Sequence, residues 1–245
     1  MQKKRILSFV IGFIILFIIY HFPEFFPAFW IMAICKIGFL FAAFISGRLQ
    51  GFNGLKGYGL AFNKRWVMDL MSGLHIGLFF FFLSVFLSTR LGFEEITVVY
   101  SFHSAISHLP MILLMTAIPS MAEDILTRGY VFAHLKFMKP FGWIVLSSVI
   151  YVLNHIWRLQ DGPAVISYLF MLGMVLAYSV WITRSLWLAF GIHWGANIAF
   201  ESGTTFFRTK LLVPHDGTTW LLAMCWALLL VLLMAFHPAT IFKRK

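Results

Sequence analysis

The sequence predicts an all-α membrane protein of about eight transmembrane helices, folded as one domain over residues 1–245, with an active site inside the bundle. Three observations predict it. Hydrophobic residues make up 61% of the chain and charged residues only 11%, where a soluble domain carries about 25% charged. Aromatics reach 18%, with 29 Phe, which suits lipid-facing surface and interfacial belts. The apolar residues also fall in runs near the ~20 residues that a helix needs to cross a bilayer core.

Those runs cover residues 6–22, 25–46, 66–88, 109–135, 141–157, 164–183, 185–202 and 218–236. The first follows Lys3, Lys4 and Arg5, as the core of a secretory signal would. His21-Phe22-Pro23-Glu24 stands where a small-residue cleavage site belongs, so a retained helix is expected. The second run holds Cys35 and Lys36. A basic linker over 47–65, with Gly47, Gly51, Gly54, Gly57 and Gly59, leads along the interface into the third, whose Phe79 to Phe82 face lipid. Met138-Lys139-Pro140 turns the fourth run into the fifth. Cys35 and Cys225 lie in separate apolar runs and form neither a disulfide framework nor a metal pattern.

The net charge of +10 does not point to nucleic acid, because the basic residues sit in short clusters between the runs. With eight spans and a cytoplasmic N-terminus, one side receives Lys3, Lys4, Arg5, Arg48, Lys56, Lys64, Arg65, Arg128, Lys136, Lys139, Arg184, Lys243, Arg244 and Lys245. The other receives Arg90, Arg158, Arg208 and Lys210. The positive-inside rule therefore puts both termini in the cytoplasm. Short loops without organelle signals suit a bacterial inner membrane.

Ionisable groups at bilayer depth cost about 2.5–3.5 kcal/mol each on insertion scales, so the runs that carry them are informative. The fourth reads Ala122-Glu123-Asp124-Ile125-Leu126-Thr127-Arg128. Arg128 lies four residues after Asp124, on the same helical face, and can neutralise it. Glu123 points about 100° away and is left without a local partner, the setting of a general base. The fifth run carries Tyr151 and His155 at i, i+4, and the seventh carries His193 and Asn197 at the same spacing, with Glu201 one turn on. Each histidine alone is equally well a core group, and Asn197 equally well glue between helices. Depth joins them. Glu123 precedes Lys139 by as many residues as separate Lys139 from His155, so on an antiparallel hairpin both reach one level. Lys36, Asp69 and His75 in or near the second and third spans are read as snorkelling or interfacial groups, with a substrate gate as the alternative.

Glu123-Asp124-x-x-x-Arg128, Tyr151-x-x-x-His155 and His193-x-x-x-Asn197, in that order, resemble the CPBP (Abi, type II CAAX prenyl protease-like) intramembrane endopeptidases. The family motifs are Glu-Glu-x-x-x-Arg, Phe-x-x-x-His and His-x-x-x-Asn/Asp, so Asp124 and Tyr151 depart from them. The resemblance covers a catalytic core of about residues 109–202. It implies hydrolysis of a peptide bond in a membrane-associated substrate, with no nucleic-acid partner. Glu123 would activate water with His155, His193 and Asn197 would bind the oxyanion, and Asp124, Arg128 and Tyr151 would support them. A zinc ion held by Glu123, His155 and His193 is the alternative mechanism, with no metal as the preferred reading. A peptide-sequestering immunity protein and a proton-coupled transporter are the rival functions, although no internal repeat supports a transporter.

Overall fold

In the computed structural model, which describes residues 2–26, 28–99, 102–213 and 216–236, the apolar runs become helices packed side by side. Helix α1 spans Gln2–His21 and α2 spans Phe29–Leu49. Helix α3 spans Trp66–Arg90, and α4 runs over Phe102–Asp124, through a π turn at Ile125–Gly129, into α5 at Tyr130–His134. Helices α6, α7, α8 and α9 cover Pro140–Asn154, Pro163–Thr183, Trp187–Phe206 and Asp216–Phe236. Among the described residues, six helices are long and apolar enough to cross a membrane: α1, α2, α3, the α4–α5 unit, α7 and α9. The protein is therefore an integral membrane protein. The α6 helix is shorter, with 15 residues, and α8, interrupted by His193, Asn197 and Glu201, is not among the six.

The chain departs from pure helix at one end of the bundle. Glu94–Val99 (β1) pairs antiparallel with Phe207–Leu211 (β2), Glu95 opposite Lys210 and Val99 opposite Phe207. The run Glu94-Glu95-Ile96-Thr97-Val98-Val99 is rich in β-branched residues that favour a strand. This ribbon ties the end of α3 and the start of α4 to the end of α8.

Helices α3 and α8 form the most extensive helix pair, and the reason is small residues. Gly73 and Gly77 on α3 meet Gly191 and Gly195 on α8, two small-xxx-small stripes running parallel. A Cβ at Gly77 would fall on the Ile192 carbonyl, and one at Gly191 on the Leu70 carbonyl. Without a hydrophobic drive between helices in lipid, this backbone approach supplies dispersion contact. Elsewhere the interior is filled by Trp143, Trp181, Trp226, Tyr58, Tyr130 and Phe39, all fully buried. At the end opposite the ribbon, the Gly-rich linker closes the bundle. The Gly59 carbonyl accepts the Leu186 N–H at 3.0 Å, and Trp187 Nε1 donates to the Ala61 carbonyl at 2.9 Å.

Candidate active site

Glu123 lies at the end of α4, one turn after Pro119. Proline inside a helix removes an i→i−4 hydrogen bond and loosens the ladder there, and the π turn follows directly. The wider turn still keeps Asp124 and Arg128 together. Arg128 Nη1 donates to Asp124 Oδ1, and also to Thr127 Oγ1 at 2.9 Å. Both charges are fully buried, at 0% exposure, and the guanidinium stacks 4.4 Å from the centre of the Tyr151 ring.

Around the Glu123 carboxylate, His155 Nδ1 lies 3.5 Å from Oε1 and His193 Nε2 lies 3.6 Å from Oε2. His193 Nδ1 is 3.3 Å from Asp124 Oδ1, and the Tyr151 hydroxyl is 3.5 Å from His193 Nε2. The acid, the two histidines and the Asp–Arg pair thus converge as the sequence expects. The position of His155 has a different origin from the expected one. Helix α6 stops at Asn154, and His155 occupies the turn before a 3-10 turn at Ile156–Asp161, its Nδ1 donating to the Tyr151 carbonyl at 2.9 Å.

Two further expectations change. Glu123 does have a close partner: Asn154 Nδ2 donates to Oε1 at 2.8 Å. Asn154 Oδ1 faces His21 Nε2 at 3.1 Å, and His21 Nδ1 faces Glu24 Oε2 at 2.7 Å. Trp157 Nε1 also donates to Glu24, at 2.9 Å, and Lys36 reaches the Tyr20 carbonyl at 2.9 Å and Glu24 at 3.7 Å. Lys36 therefore belongs to a polar chain running from the α1–α2 turn to Glu123, rather than snorkelling. Asn197 is the second change. Its Nδ2 donates to Ser120 Oγ at 2.8 Å, one turn away from Glu123 along the same wall.

Glu123, Tyr151, His155, His193 and Asn197 form the floor and one wall of a cavity of about 1030 Å³. Its walls are mostly apolar, with Phe81, Phe200, Leu222 and Trp226, and it rises past Asn197 to Glu201 and the ribbon. Asp69 and His75 line no part of it. Asp69 pairs loosely with Arg65 at 4.0 Å, and His75 bonds to the Met71 carbonyl at 2.7 Å.

Among the described residues, no three His, Cys, Asp or Glu groups converge to hold a metal. His155 presents to Glu123 the nitrogen that is already bonded to the Tyr151 carbonyl.

Sequence reading missed Asn154, His21, Glu24 and Ser120. The signal for Asn154 was its place beside His155 at bilayer depth. For His21 and Glu24 it was a polar pair closing an otherwise apolar run.

Residues 105–199 match the family model described as type II CAAX prenyl endopeptidase Rce1-like. The match takes in every motif residue from Glu123 to Asn197. No curated protein matches the chain.

Proposed function

From the premise that its core belongs to the Rce1-like family of type II CAAX prenyl endopeptidases, we propose that this protein cleaves a peptide bond of a membrane-associated substrate with water activated by Glu123. One observation carries the reading: a buried carboxylate on a cavity floor, faced by two imidazoles and fixed by one amide. Asn154 holds Oε1, which leaves Oε2 directed toward His193 and the cavity.

A water beside Glu123 gives its proton to the carboxylate as its oxygen attacks the substrate carbonyl carbon. The carbonyl π pair moves onto oxygen, and the oxyanion needs donors. His193 Nε2 lies beside Glu123 Oε2 on the cavity floor, and its N–H is one donor. Asn197 has one amide hydrogen on Ser120 and a second free to turn into the cavity. When the oxyanion collapses, the C–N bond breaks and Glu123 returns its proton to the leaving nitrogen. His155, held by the Tyr151 carbonyl, positions the water. Asp124 and Arg128 fix His193, and Tyr151 packs between the Arg128 guanidinium and the two histidine rings.

The proposed setting is a bacterial inner membrane with both termini in the cytoplasm, on the charge distribution above. The test compares the membrane peptidomes of hosts expressing wild type and Glu123→Gln, with and without a zinc chelator. The expected result is cleavage products that vanish in Glu123→Gln and persist under chelation. Products lost on chelation would replace the metal-free step with a zinc-bound water. Identical peptidomes, in a host supplying candidate substrates, would favour a sequestering or immunity protein.

A further inference from the structure

The cavity has a closed end and an open one. All of its lining lies from the level of Glu123 toward the ribbon: the later turns of α3 and α8, both strands, and the first turns of α9. The opposite end is sealed by the Gly59–Leu186 and Ala61–Trp187 bonds, and by Tyr130, whose hydroxyl reaches the Phe9 carbonyl at 3.1 Å and Gln50 at 2.8 Å. Access at the other end follows from where the helices stop. Helices α1 and α6 end at His21 and Asn154, both at the level of Glu123. Helix α8 continues from His193 to Phe206, about 20 Å further at 1.5 Å per residue. Because α1 and α6 end at this level while α8 continues, a notch is left beside α8, and the catalytic floor is reached through it.

Charge is divided along the same axis. The sealed end carries Arg48, Lys56, Lys64, Arg65, Lys136, Lys139 and Arg184, with Asp69 beside Arg65. The open end carries Glu24, paired with Lys36, and Glu94, Glu95, Asp161, Glu201 and Asp216, with Arg90, Arg158, Arg208 and Lys210. Lysine and arginine stay on the cytoplasmic side, so the sealed end is cytoplasmic. At the mouth itself, Arg158 lines the cavity and is paired with Asp161 at 3.2 Å. Lys210 stands opposite Glu95 on β1, and neither of these two residues lines the cavity. Glu94 and Glu201 do line it, above the apolar walls.

We infer that the cavity opens on the extracytoplasmic face and takes a peptide segment that combines apolar residues with a basic one. This rests on the intramembrane-peptidase reading for the fate of the segment, but its side of entry and charge preference do not. A cytoplasmic prenylated tail would meet the sealed end. A peptide reaching the membrane from outside, or exported through it, meets the mouth.

Single cysteines report the side of entry, with labelling counted above that of the parent protein, which carries Cys35 and Cys225. In bacterial spheroplasts, a membrane-impermeant maleimide is expected to label Thr218→Cys at the mouth from outside, and Lys139→Cys only after permeabilisation. Glu95→Cys serves as a second reporter at the open end should Thr218→Cys fail to accumulate. The reverse pattern overturns the orientation. The charge preference is read in the Glu123→Gln background, where no cleavage is needed. A Leu/Ala peptide flanked by lysines is expected to slow labelling of Thr218→Cys about threefold to fivefold more than the same peptide flanked by glutamates. That difference should disappear in Glu94→Gln/Glu201→Gln. Equal protection by both peptides, or by neither, overturns the basic-peptide assignment. An unchanged peptidome would instead remove the peptidase reading and leave the labelling results standing.

Discussion

Asn154→Ala is the most informative perturbation of the proposed site, because Asn154 touches the base without being able to act as one. Its amide makes the shortest contact to the Glu123 carboxylate, 2.8 Å against 3.5 Å and 3.6 Å for the two histidines. A hydrogen bond to a charged group contributes about 1.5–3 kcal/mol. If that orientation is used in the transition state, its loss lowers kcat roughly 10- to 100-fold, at 1.36 kcal/mol per tenfold. KM should stay near its wild-type value, since Asn154 lies beneath the cavity floor and does not line the cavity. His21→Ala keeps the Asn154 amide but frees it to rotate, so a smaller loss in kcat is expected. The assay is cleavage of a substrate identified from the peptidome, by purified protein in liposomes, with thermal unfolding in detergent measured in parallel. Asn154→Ala combined with Glu123→Gln should be no less active than Glu123→Gln alone. Wild-type kcat in a stably folded Asn154→Ala protein would refute the orienting role. So would a loss matched by an equal fall in stability, since the contact would then be structural.

Further outcomes follow from packing. Arg128→Ala leaves the Asp124 carboxylate, at 0% exposure, with His193 but without its guanidinium, and breaking a buried ion pair costs about 3–5 kcal/mol, so little folded protein should accumulate. Asp124→Asn/Arg128→Ala should recover folded protein, scored by size-exclusion chromatography, but not full activity, because His193 loses the carboxylate at its Nδ1. Gly77→Leu places side-chain atoms on the Ile192 carbonyl and should separate α3 from α8 and abolish folding in the same chromatographic assay. Gly38→Ala, where no atom lies within 4 Å of the added Cβ, should match or slightly exceed wild type in thermal stability.

The extent to which the site was legible depends on how far each signal reaches along the chain. Hydropathy located the helices because lipid solvation acts on each run separately. The level shared by Glu123 and His155 followed from helical rise about one turn at Lys139. Spacing placed Asn197 on the face of His193 but not its partner: four residues are also about 6 Å of rise, which sets its amide on Ser120. The ribbon was written in its own β-branched residues, yet it forms only because α3, α4 and α8 bring segments 94–99 and 207–211 together. The polar chain to Glu123 was the least legible part. His21 and Asn154 are 133 residues apart, and each looks locally like a polar residue marking the end of a span. What brings them to the proposed site is that α1 and α6 both end at the level of Glu123 while α8 continues past it. Their polar ends therefore stop beside Glu123 rather than in water, and the same early ends open the proposed notch through which a substrate would reach it.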